Sequence, residues 1–336
     1  MSEPTAGLKF TYIIPIYQRH DELRELLQTL TQQTDKDFEV IIVDDGSPDA
    51  VEPVTQEFAQ QLTIECVRKR NSGPGQSRNH GMLKANGNYY IFLDSDTLLP
   101  NTYMAEVRRE LEEDFVDFFG GSDASLDQFT DFQKAVNFSM TSMLTTGGVR
   151  GGKKKITRFQ ARSFNMGLSE EAFRQSGGFG KMRVGEDTDL SLRLWELGFK
   201  SRWFPNAYVY HKRRSDWRSF ANQVRSFGRM RPILDMWHPQ YAKLSFWLPT
   251  IFVGGLLIGL IALLRGFPWI ILIYLFYFIL VFIMASIQNN SIRIGLYSIA
   301  TTFLQHWNYG VGFLETYIRI RIQKKNPKEV YPQYFF

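Results

Sequence analysis

Two short apolar segments, each ending in paired acidic residues, constrain this chain more than any other feature. They are Phe38–Asp45 (FEVIIVDD) and residues 89–96 (YYIFLDSD). A continuous apolar run of this length is typical of a strand that is buried on both faces of a sheet. The acids at the two strand ends would then lie at one edge of that sheet.

The first hundred residues alternate such strands with helices. Leucines recur at helical spacing in Asp21–Gln33, and Pro74 stands near a helix start, where proline is tolerated. The alternation predicts an α/β fold with a Rossmann-like, mostly parallel sheet, which binds ligands at the carboxyl ends of its strands. The predicted order is strand Phe10–Pro15, helix Asp21–Gln33, strand Phe38–Asp45, helix Val51–Gln61, strand Thr63–Arg68, helix Pro74–Ala85, strand Tyr89–Leu93, and later helix Glu186–Leu197 with Leu190, Leu194 and Leu197 on one face.

The last hundred residues have a different character. Leu244–Leu264 contains 21 residues without a charge, and Phe267–Gln288 is a second uncharged run. Because a bilayer core requires about 20 apolar residues per helix, we predict a transmembrane hairpin, the alternative being a buried hairpin of a soluble protein. Ile294–Leu314 is also uncharged but carries polar residues, so it could span or lie along the interface.

The charge distribution supports this division. Residues 241–336 have a net charge of +6, which leaves residues 1–240 with −1. A basic tail suits an anionic membrane surface better than nucleic acid, and the positive-inside rule favours two spans over three. We predict a cytoplasmic domain (1–240), a membrane hairpin (241–290) and an interfacial or third helix with a basic tail (291–336). The polar first eight residues have no signal-like run, and the single cysteine, Cys66, predicts a small buried side chain rather than a disulfide.

Asp94 and Asp96 carry the strongest chemical signal. Two carboxylates one residue apart at a strand end can both reach a divalent cation, and Mg²⁺ or Mn²⁺ commonly joins such oxygens to substrate phosphates. The alternative is a solvated acidic turn. Asp44 and Asp45 follow the other strand, where they could accept hydrogen bonds from a base or ribose or serve only in a turn.

A family resemblance connects these pieces. The chain resembles a family 2 glycosyltransferase with the GT-A nucleotide-diphospho-sugar transferase fold over roughly residues 9–231. The matching segments occur in family order and spacing. They are IIPIY (13–17), VIIVDDGS (40–47), NSGPGQSRNHGM (71–82), YYIFLDSDT (89–97), FNMGLSEEAFRQSGGF (164–179), GEDTDLSLRLWELGFK (185–200) and VYH (209–211) with the arginine-rich stretch after it.

The resemblance implies a nucleotide-sugar donor, a divalent cation and inversion at the anomeric carbon. According to this resemblance, Asp45 binds the uracil edge beside Asp44, and Arg78 lies near the nucleotide and the metal-site carboxylates. Asp96 is then the more direct metal ligand. An alternative for Arg78 is a surface position on its helix. The nucleotide-binding residues implied are Pro15, Ile16, Tyr17, Asp44, Asp45, Arg78, Asp94 and Ser95.

Glu186 and Asp187 match the family's acidic pair, with Asp187 as the catalytic base. A carboxylate that accepts the proton of an acceptor hydroxyl typically accelerates such a step by about 10²–10⁴-fold. Acids in a first helical turn also stabilise that helix, so the pair could serve both purposes. The lysine- and glycine-rich loop Gly147–Lys155 is either a lid over the donor or a solvated loop.

His211 stands where some family members place a third metal ligand, which would favour Mn²⁺; a hydrogen-bonded histidine at the edge of the core is the alternative. Arg225 and Arg229 could neutralise the leaving diphosphate. The chain lacks the Q-x-x-R-W motif of processive polysaccharide synthases, which argues against processive synthesis.

These inferences predict an inverting transferase at the inner face of the cell membrane. It would use a UDP-sugar and Mn²⁺ or Mg²⁺, with a lipid-linked or saccharide acceptor. A processive synthase, a sugar-phosphate nucleotidyltransferase and an inactive membrane scaffold are the alternatives, and the oligomeric state stays open.

Overall fold

The computed structural model describes residues 7–124, 129–147, 159–212 and 215–336. The chain forms two compact units. The first, here the sheet unit, comprises residues 1–124, 153–212 and 333–336; the second, the helical unit, comprises 125–152 and 213–332. The predicted loop at Gly147–Lys155 falls almost entirely outside the described residues. The predicted boundaries at 240 and 290 stay predictions.

The sheet unit contains eight described strands in the order β3-β2-β1-β4-β7-β6-β8-β5. The pairs β3-β2, β2-β1, β1-β4 and β6-β8 are parallel, whereas β7 runs antiparallel to β4 and β6, and β5 antiparallel to β8. The predicted α/β fold with a mostly parallel sheet is therefore confirmed. The strands are β1 (Phe10–Ile16), β2 (Phe38–Asp44), β3 (Ile64–Arg68), β4 (Tyr89–Leu93), β5 (Thr97–Leu98), β6 (Phe118–Ala124), β7 (Asn165–Ser169) and β8 (Ser201–His211).

Helices cover both faces of this sheet, as its continuously apolar strands require. One core cluster joins the sheet to α1, α2 and α4, and the other joins it to α3, α7 and α8. In β1, Tyr12 and Ile14 enter the first cluster and Ile13 the second. The helices are α1 (His20–Thr31), α2 (Glu52–Gln56), α3 (Pro74–Met82), α4 (Tyr103–Glu113), α7 (Glu170–Ser176) and α8 (Glu186–Glu196).

Three local expectations differ from the structure. The helix expected at Val51–Gln61 is only α2, because the chain continues in tight turns in which Phe58 N–H donates to Thr55 and Gln61 N–H to Phe58. Leu197 is 48% exposed, since α8 ends one residue before it. Cys66 is only partly buried because β3 is an edge strand, and burial raises the pKa of its thiol to about 11.

The helical unit is built around one long helix, α12, which packs against α5, α9, α10 and α11. Small residues allow α9 and α12 to approach closely. A Cβ added at Gly228 of α9 would lie 2.3 Å from the carbonyl oxygen of Tyr309 in α12. Thr301 Oγ1 donates to the Ala135 carbonyl at 3.2 Å, which joins α12 to α5. The helices are α5 (Asp131–Thr141), α6 (Met143–Thr146), α9 (Trp217–Trp237), α10 (Leu248–Leu264), α11 (Trp269–Asn289), α12 (Ile292–Tyr317), the π-helical turn Ile318–Ile322 and α13 (Pro327–Val330).

The two uncharged runs form helices, as predicted. Leu244–Leu264 and Trp269–Asn289, each 21 residues long, are the two segments within the described ranges that could cross a membrane by length and composition alone. Only 11% of each segment is buried, unlike the core hairpin of a soluble protein. The third run, within α12, does not meet these criteria and buries a polar face that includes Ser298, Thr301 and Thr302.

Candidate active site

The acidic residues lie at the carboxyl ends of the central parallel strands, where the fold predicts a ligand site. Asp44 ends β2 in register with Ile16 at the end of β1. The Asp45 N–H donates to the Ile16 carbonyl at 2.8 Å, so the two strand ends are joined. Asp94, Ser95 and Asp96 form the turn between β4 and β5, with Ser95 buried between the two acids.

Asp94, Asp96 and His211 form a candidate metal site. One ligand atom from each residue lies within 4.8 Å of the others. The sheet positions the histidine, because β5 pairs with β8 so that Thr97 stands opposite His211. Two carboxylates and an imidazole form a donor set suited to Mn²⁺. The structure thus brings together the three residues predicted as metal ligands, and their binding of a metal stays a prediction.

The electrostatics keep Asp96 ionised. His211 Nε2 lies 3.3 Å from Asp96 Oδ1, and Arg19 Nη1 lies 3.1 Å from Asp96 Oδ2. Burial alone would raise the pKa of Asp96, but the hydrogen bonds and charges of these two partners lower it to about 2. A carboxylate that is fully ionised at neutral pH is ready to ligate a cation. The His211 ring also stacks on Phe164, with centroids 4.4 Å apart.

Asp44 and Asp45 are both buried and organise the loops around them. Asp44 Oδ1 accepts a hydrogen bond from Ser47 N–H at 2.8 Å. Asp45 accepts from Ser72 N–H at 2.9 Å and from Gly73 N–H at 2.8 Å, and its Oδ1 also contacts the Lys69 ammonium. The turn interpretation therefore holds for both residues. Their contact with a nucleotide base stays a prediction. The same holds for Pro15, Ile16 and Tyr17 at the end of β1, where the Tyr17 side chain is 47% exposed.

Arg78 connects the metal-site acids to the acidic pair of α8. Its Nη2 lies 2.5 Å from Asp94 Oδ1 and its Nη1 lies 3.2 Å from Glu186 Oε1. The side chain is 1% exposed, so the alternative of a surface arginine is excluded. The guanidinium also lies over the Phe179 ring, 5.3 Å from its centroid. Two segments 108 residues apart in sequence thereby meet at one buried cation.

Glu186 and Asp187 begin α8, after Gly185 with its φ of +77°. Burial, and next the neighbouring Asp187 charge, raise the pKa of Glu186 to about 7, while Arg78 opposes this rise. Asp187 is half-buried; its Oδ1 accepts from Thr188 N–H at 2.6 Å and its Oδ2 from Ser163 N–H at 3.4 Å. Asp187 thus accepts one N–H of the first turn of α8, and the catalytic role of the pair stays a prediction.

Arg225 and Arg229 belong to the helical unit. Both guanidinium groups contact Glu315 Oε2 on α12, at 3.2 and 3.0 Å. Each arginine thus has a carboxylate partner that the sequence pattern did not indicate. Their predicted contact with a diphosphate stays a prediction.

Arg19 is a site residue that the sequence reasoning missed. Besides Asp96, it contacts Glu22 Oε2 at 3.1 Å. Gln18 and Arg19 both have left-handed backbones, with φ of 60° and 66°. Consecutive non-glycine residues in this region are uncommon and energetically costly. The position of Arg19, two residues after the IPIY segment, was the available sequence signal. The left-handed backbone was not predictable, because neither glutamine nor arginine favours it.

Comparison with known proteins bears on the family and the fold of this chain. Residues 11–175 match the family model described as glycosyl transferase family 2. Glycosyltransferase GlyA of Streptococcus pneumoniae is 33% identical over 106 residues, covering 31% of this chain and 15% of that protein. Succinoglycan biosynthesis protein ExoW of Rhizobium meliloti is 34% identical over 125 residues, covering 34% of this chain and 39% of that protein. The chain spans 15% of the length of the first curated relatives that it matches.

Two solved structures share the fold. Mannosyltransferase PcManGT from Pyrobaculum calidifontis, in complex with GDP-Man and Mn²⁺, has a TM-score of 0.58 at 17% identity, covering 93% of this chain and 88% of that one. S. aureus TarS 1–349 in complex with UDP-GlcNAc has a TM-score of 0.51 at 19% identity, covering 68% and 66%. At such identities the likeness concerns the fold alone.

Proposed function

Because the chain belongs to glycosyl transferase family 2, we propose that it transfers a sugar from a nucleotide diphosphate, with inversion, to a lipid-linked or saccharide acceptor. The observation that carries the proposal is the continuous cluster in which Asp94, Asp96 and His211 connect through Arg78 to Glu186. The relatives named for succinoglycan and teichoic acid biosynthesis support a role in cell-envelope polysaccharide assembly. Nothing in a purely structural scaffold requires such a cluster.

The proposed donor is a UDP-sugar. Asp45 accepts hydrogen bonds from residues of loop 69–73 and is the residue that the family resemblance assigns to the uracil edge. The UDP-GlcNAc ligand of TarS is consistent with this choice. Mn²⁺ or Mg²⁺, held by Asp94, Asp96 and His211, would supply positive charge to the donor diphosphate. Arg78 holds Asp94 in place through its guanidinium.

The proposed chemistry is a single displacement at the anomeric carbon. The acceptor oxygen forms a bond to that carbon as the bond to the diphosphate oxygen breaks, and the nucleoside diphosphate leaves. The Asp187 carboxylate accepts the hydroxyl proton of the acceptor during this step. Glu186, held by Arg78 and partly protonated near neutral pH, limits the negative charge beside the base.

Asp187→Asn tests this assignment directly. We expect transfer to fall by about 10²-fold or more, because the amide cannot accept the proton, with UDP and Mn²⁺ affinities retained. Glu171→Gln is the matched control, since Glu171 is the second residue of α7 as Asp187 is of α8. Release of nucleoside diphosphate from a panel of nucleotide sugars measures the rate and names the donor. Full activity in Asp187→Asn would exclude Asp187 as the catalytic base. If the wild-type protein turned over none of the sugar nucleotides, the proposed function would be refuted.

The membrane hairpin is the second part of the proposal. Leu244–Leu264 and Trp269–Asn289 would anchor the chain in the inner membrane with the sheet unit in the cytoplasm. An anchored enzyme meets a lipid-bound acceptor at a raised effective concentration. With two spans, trypsin should cleave near Lys324 and Lys325 from the cytoplasmic face of oriented vesicles. Cleavage from the opposite face only would instead establish three spans.

A further inference from the structure

Residues 333–336 join the sheet unit, although residues 213–332 before them belong to the helical unit. Phe335 forms an antiparallel bridge with Met182. Arg183 N–H donates to the Tyr334 carbonyl at 2.9 Å, and Phe336 N–H donates to the Lys181 carbonyl at 3.3 Å. The short segment thus pairs with the loop that leads into Gly185 and the acidic pair of α8.

The Phe336 ring lies directly against Gly73. A Cβ added at Gly73 would be 2.1 Å from Phe336 Cζ, so only a glycine admits the ring at this distance. The Arg183 guanidinium lies over the same ring, 4.3 Å from its centroid. Phe336 is nevertheless 40% exposed, so the ring is held on the protein and still presents open aromatic surface.

Gly73 is also one of the residues that hold Asp45. Its N–H donates to Asp45 Oδ2 at 2.8 Å, and its φ of +84° is in the region that favours glycine. The ring therefore rests on the peptide that orients the proposed base-binding carboxylate. The same four-residue segment contacts loop 181–185, so it connects the loop around Asp45 with the loop before Glu186.

We propose that Phe336 is a positioning residue for the nucleoside half of the donor, acting through Gly73 on Asp45. This inference rests on the proposed function, because it takes the nucleoside to bind beside Asp45. The physical reason is that a hydrogen-bonding carboxylate discriminates a base only while its orientation is fixed, and small displacements of positioning groups cost much of that binding. The ring restricts Gly73, which otherwise has the most freedom of any residue type.

Calorimetry with uridine, UDP and Mn²⁺ alone tests the inference. Phe336→Ala should weaken the binding of uridine and of UDP by the same factor, about tenfold. This factor corresponds to the low end of the free energy that one hydrogen bond to a charged group contributes. Affinity for Mn²⁺ should not change, because the contacts that hold Phe336 are with Gly73, Lys181 and Arg183 rather than with the proposed metal ligands. Phe336→Leu, which keeps an apolar side chain and adds no atom beyond Cζ, should bind uridine more tightly than Phe336→Ala. Leu83→Ala, which removes another exposed apolar side chain of the sheet unit, should leave all three affinities unchanged.

A double-mutant cycle tests the contact itself. Gly73→Ala should weaken uridine strongly in the wild-type background, because its methyl group meets the Phe336 ring, and less strongly beside Phe336→Ala. Additive effects of the two substitutions would overturn the inference. So would an unchanged uridine affinity in Phe336→Ala, or an equal loss of Mn²⁺ affinity, which would indicate a general structural role.

The wild-type chain separates this inference from the proposed function. If it binds uridine and UDP while Phe336→Ala binds them equally well, only the positioning role fails. If it binds neither UDP nor GDP in the presence of Mn²⁺, the proposed function fails and the positioning role with it. Guanosine and GDP replace uridine and UDP in the same assays if the donor screen selects guanine.

Discussion

Replacing Arg78 by methionine should expose how much of this site depends on one buried cation. The substitution keeps an unbranched side chain in a position that is 1% exposed but removes both ion pairs, to Asp94 and to Glu186. Removing one partner of a buried pair typically costs about 3–5 kcal/mol. Asp94 is 35% exposed and recovers some hydration, so we expect a loss of about 3 kcal/mol in the free energy of unfolding at pH 8.

The loss should depend on pH in a defined direction. Glu186 is an acid whose folded-state pKa, about 7, lies above its ordinary value of 4.5. Its stabilising contribution is therefore complete below about pH 4.5 and decreases as pH rises through 7. Arg78 opposes the raised pKa, so removing it moves the pKa of Glu186 higher. The variant should consequently lie closer to wild type at pH 5.5, where Glu186 is protonated in both proteins, than at pH 8.

Urea unfolding in mild detergent at the two pH values measures this difference. Adding Glu186→Gln to Arg78→Met should abolish most of the pH dependence, since the carboxylate whose pKa in the wild-type protein lies between the two pH values is then absent. Arg109→Met serves as control, because the ion pairs of Arg109 lie on the surface at 44% exposure and its substitution should leave the free energy of unfolding close to that of wild type. An equal loss at both pH values, or a loss in Arg78→Met no larger than in the control, would refute the reasoning.

Two further substitutions address the metal site and its neighbour. Asp96→Asn should weaken Mn²⁺ binding by more than the roughly 10- to 100-fold that is lost when a partner of a metal ligand is replaced, because a charged ligand itself is lost. Asp21→Asn, which alters a 96% exposed carboxylate, is the control in the same calorimetric titration. Equal Mn²⁺ affinities of the two variants would exclude Asp96 as a ligand. Arg19→Asn, with Mn²⁺ present, should raise stability by about 1 kcal/mol, because asparagine adopts the left-handed backbone at position 19 more readily than arginine does. A lower melting temperature than wild type would mean that the Arg19–Asp96 ion pair outweighs this effect.

The sheet and its edge could be predicted because local signals agree there. Tyr89–Leu93 is apolar throughout and forms β4 with the bounds expected of it, and Leu23, Leu26, Leu27 and Leu30 are fully buried on one face of α1. Since the strands are parallel, the acids that follow β2 and β4 had to meet at one edge. Helix α2 was less predictable, because turns and short helices share the same residue types and differ only in how far the hydrogen bonds continue.

Local sequence patterns were enough to predict that Asp44, Asp45, Asp94 and Asp96 end buried strands and that two runs near residues 244–289 are long and apolar enough for a membrane. Those properties depend on neighbours within a few residues, which periodicity and composition record. The folded chain was needed to show that Arg78 joins Asp94 to Glu186, that Arg19 contacts Asp96, and that the Phe336 ring contacts Gly73. Each of these contacts joins residues far apart in sequence, and no local pattern encodes which distant loops a folded chain brings within 4 Å of one another.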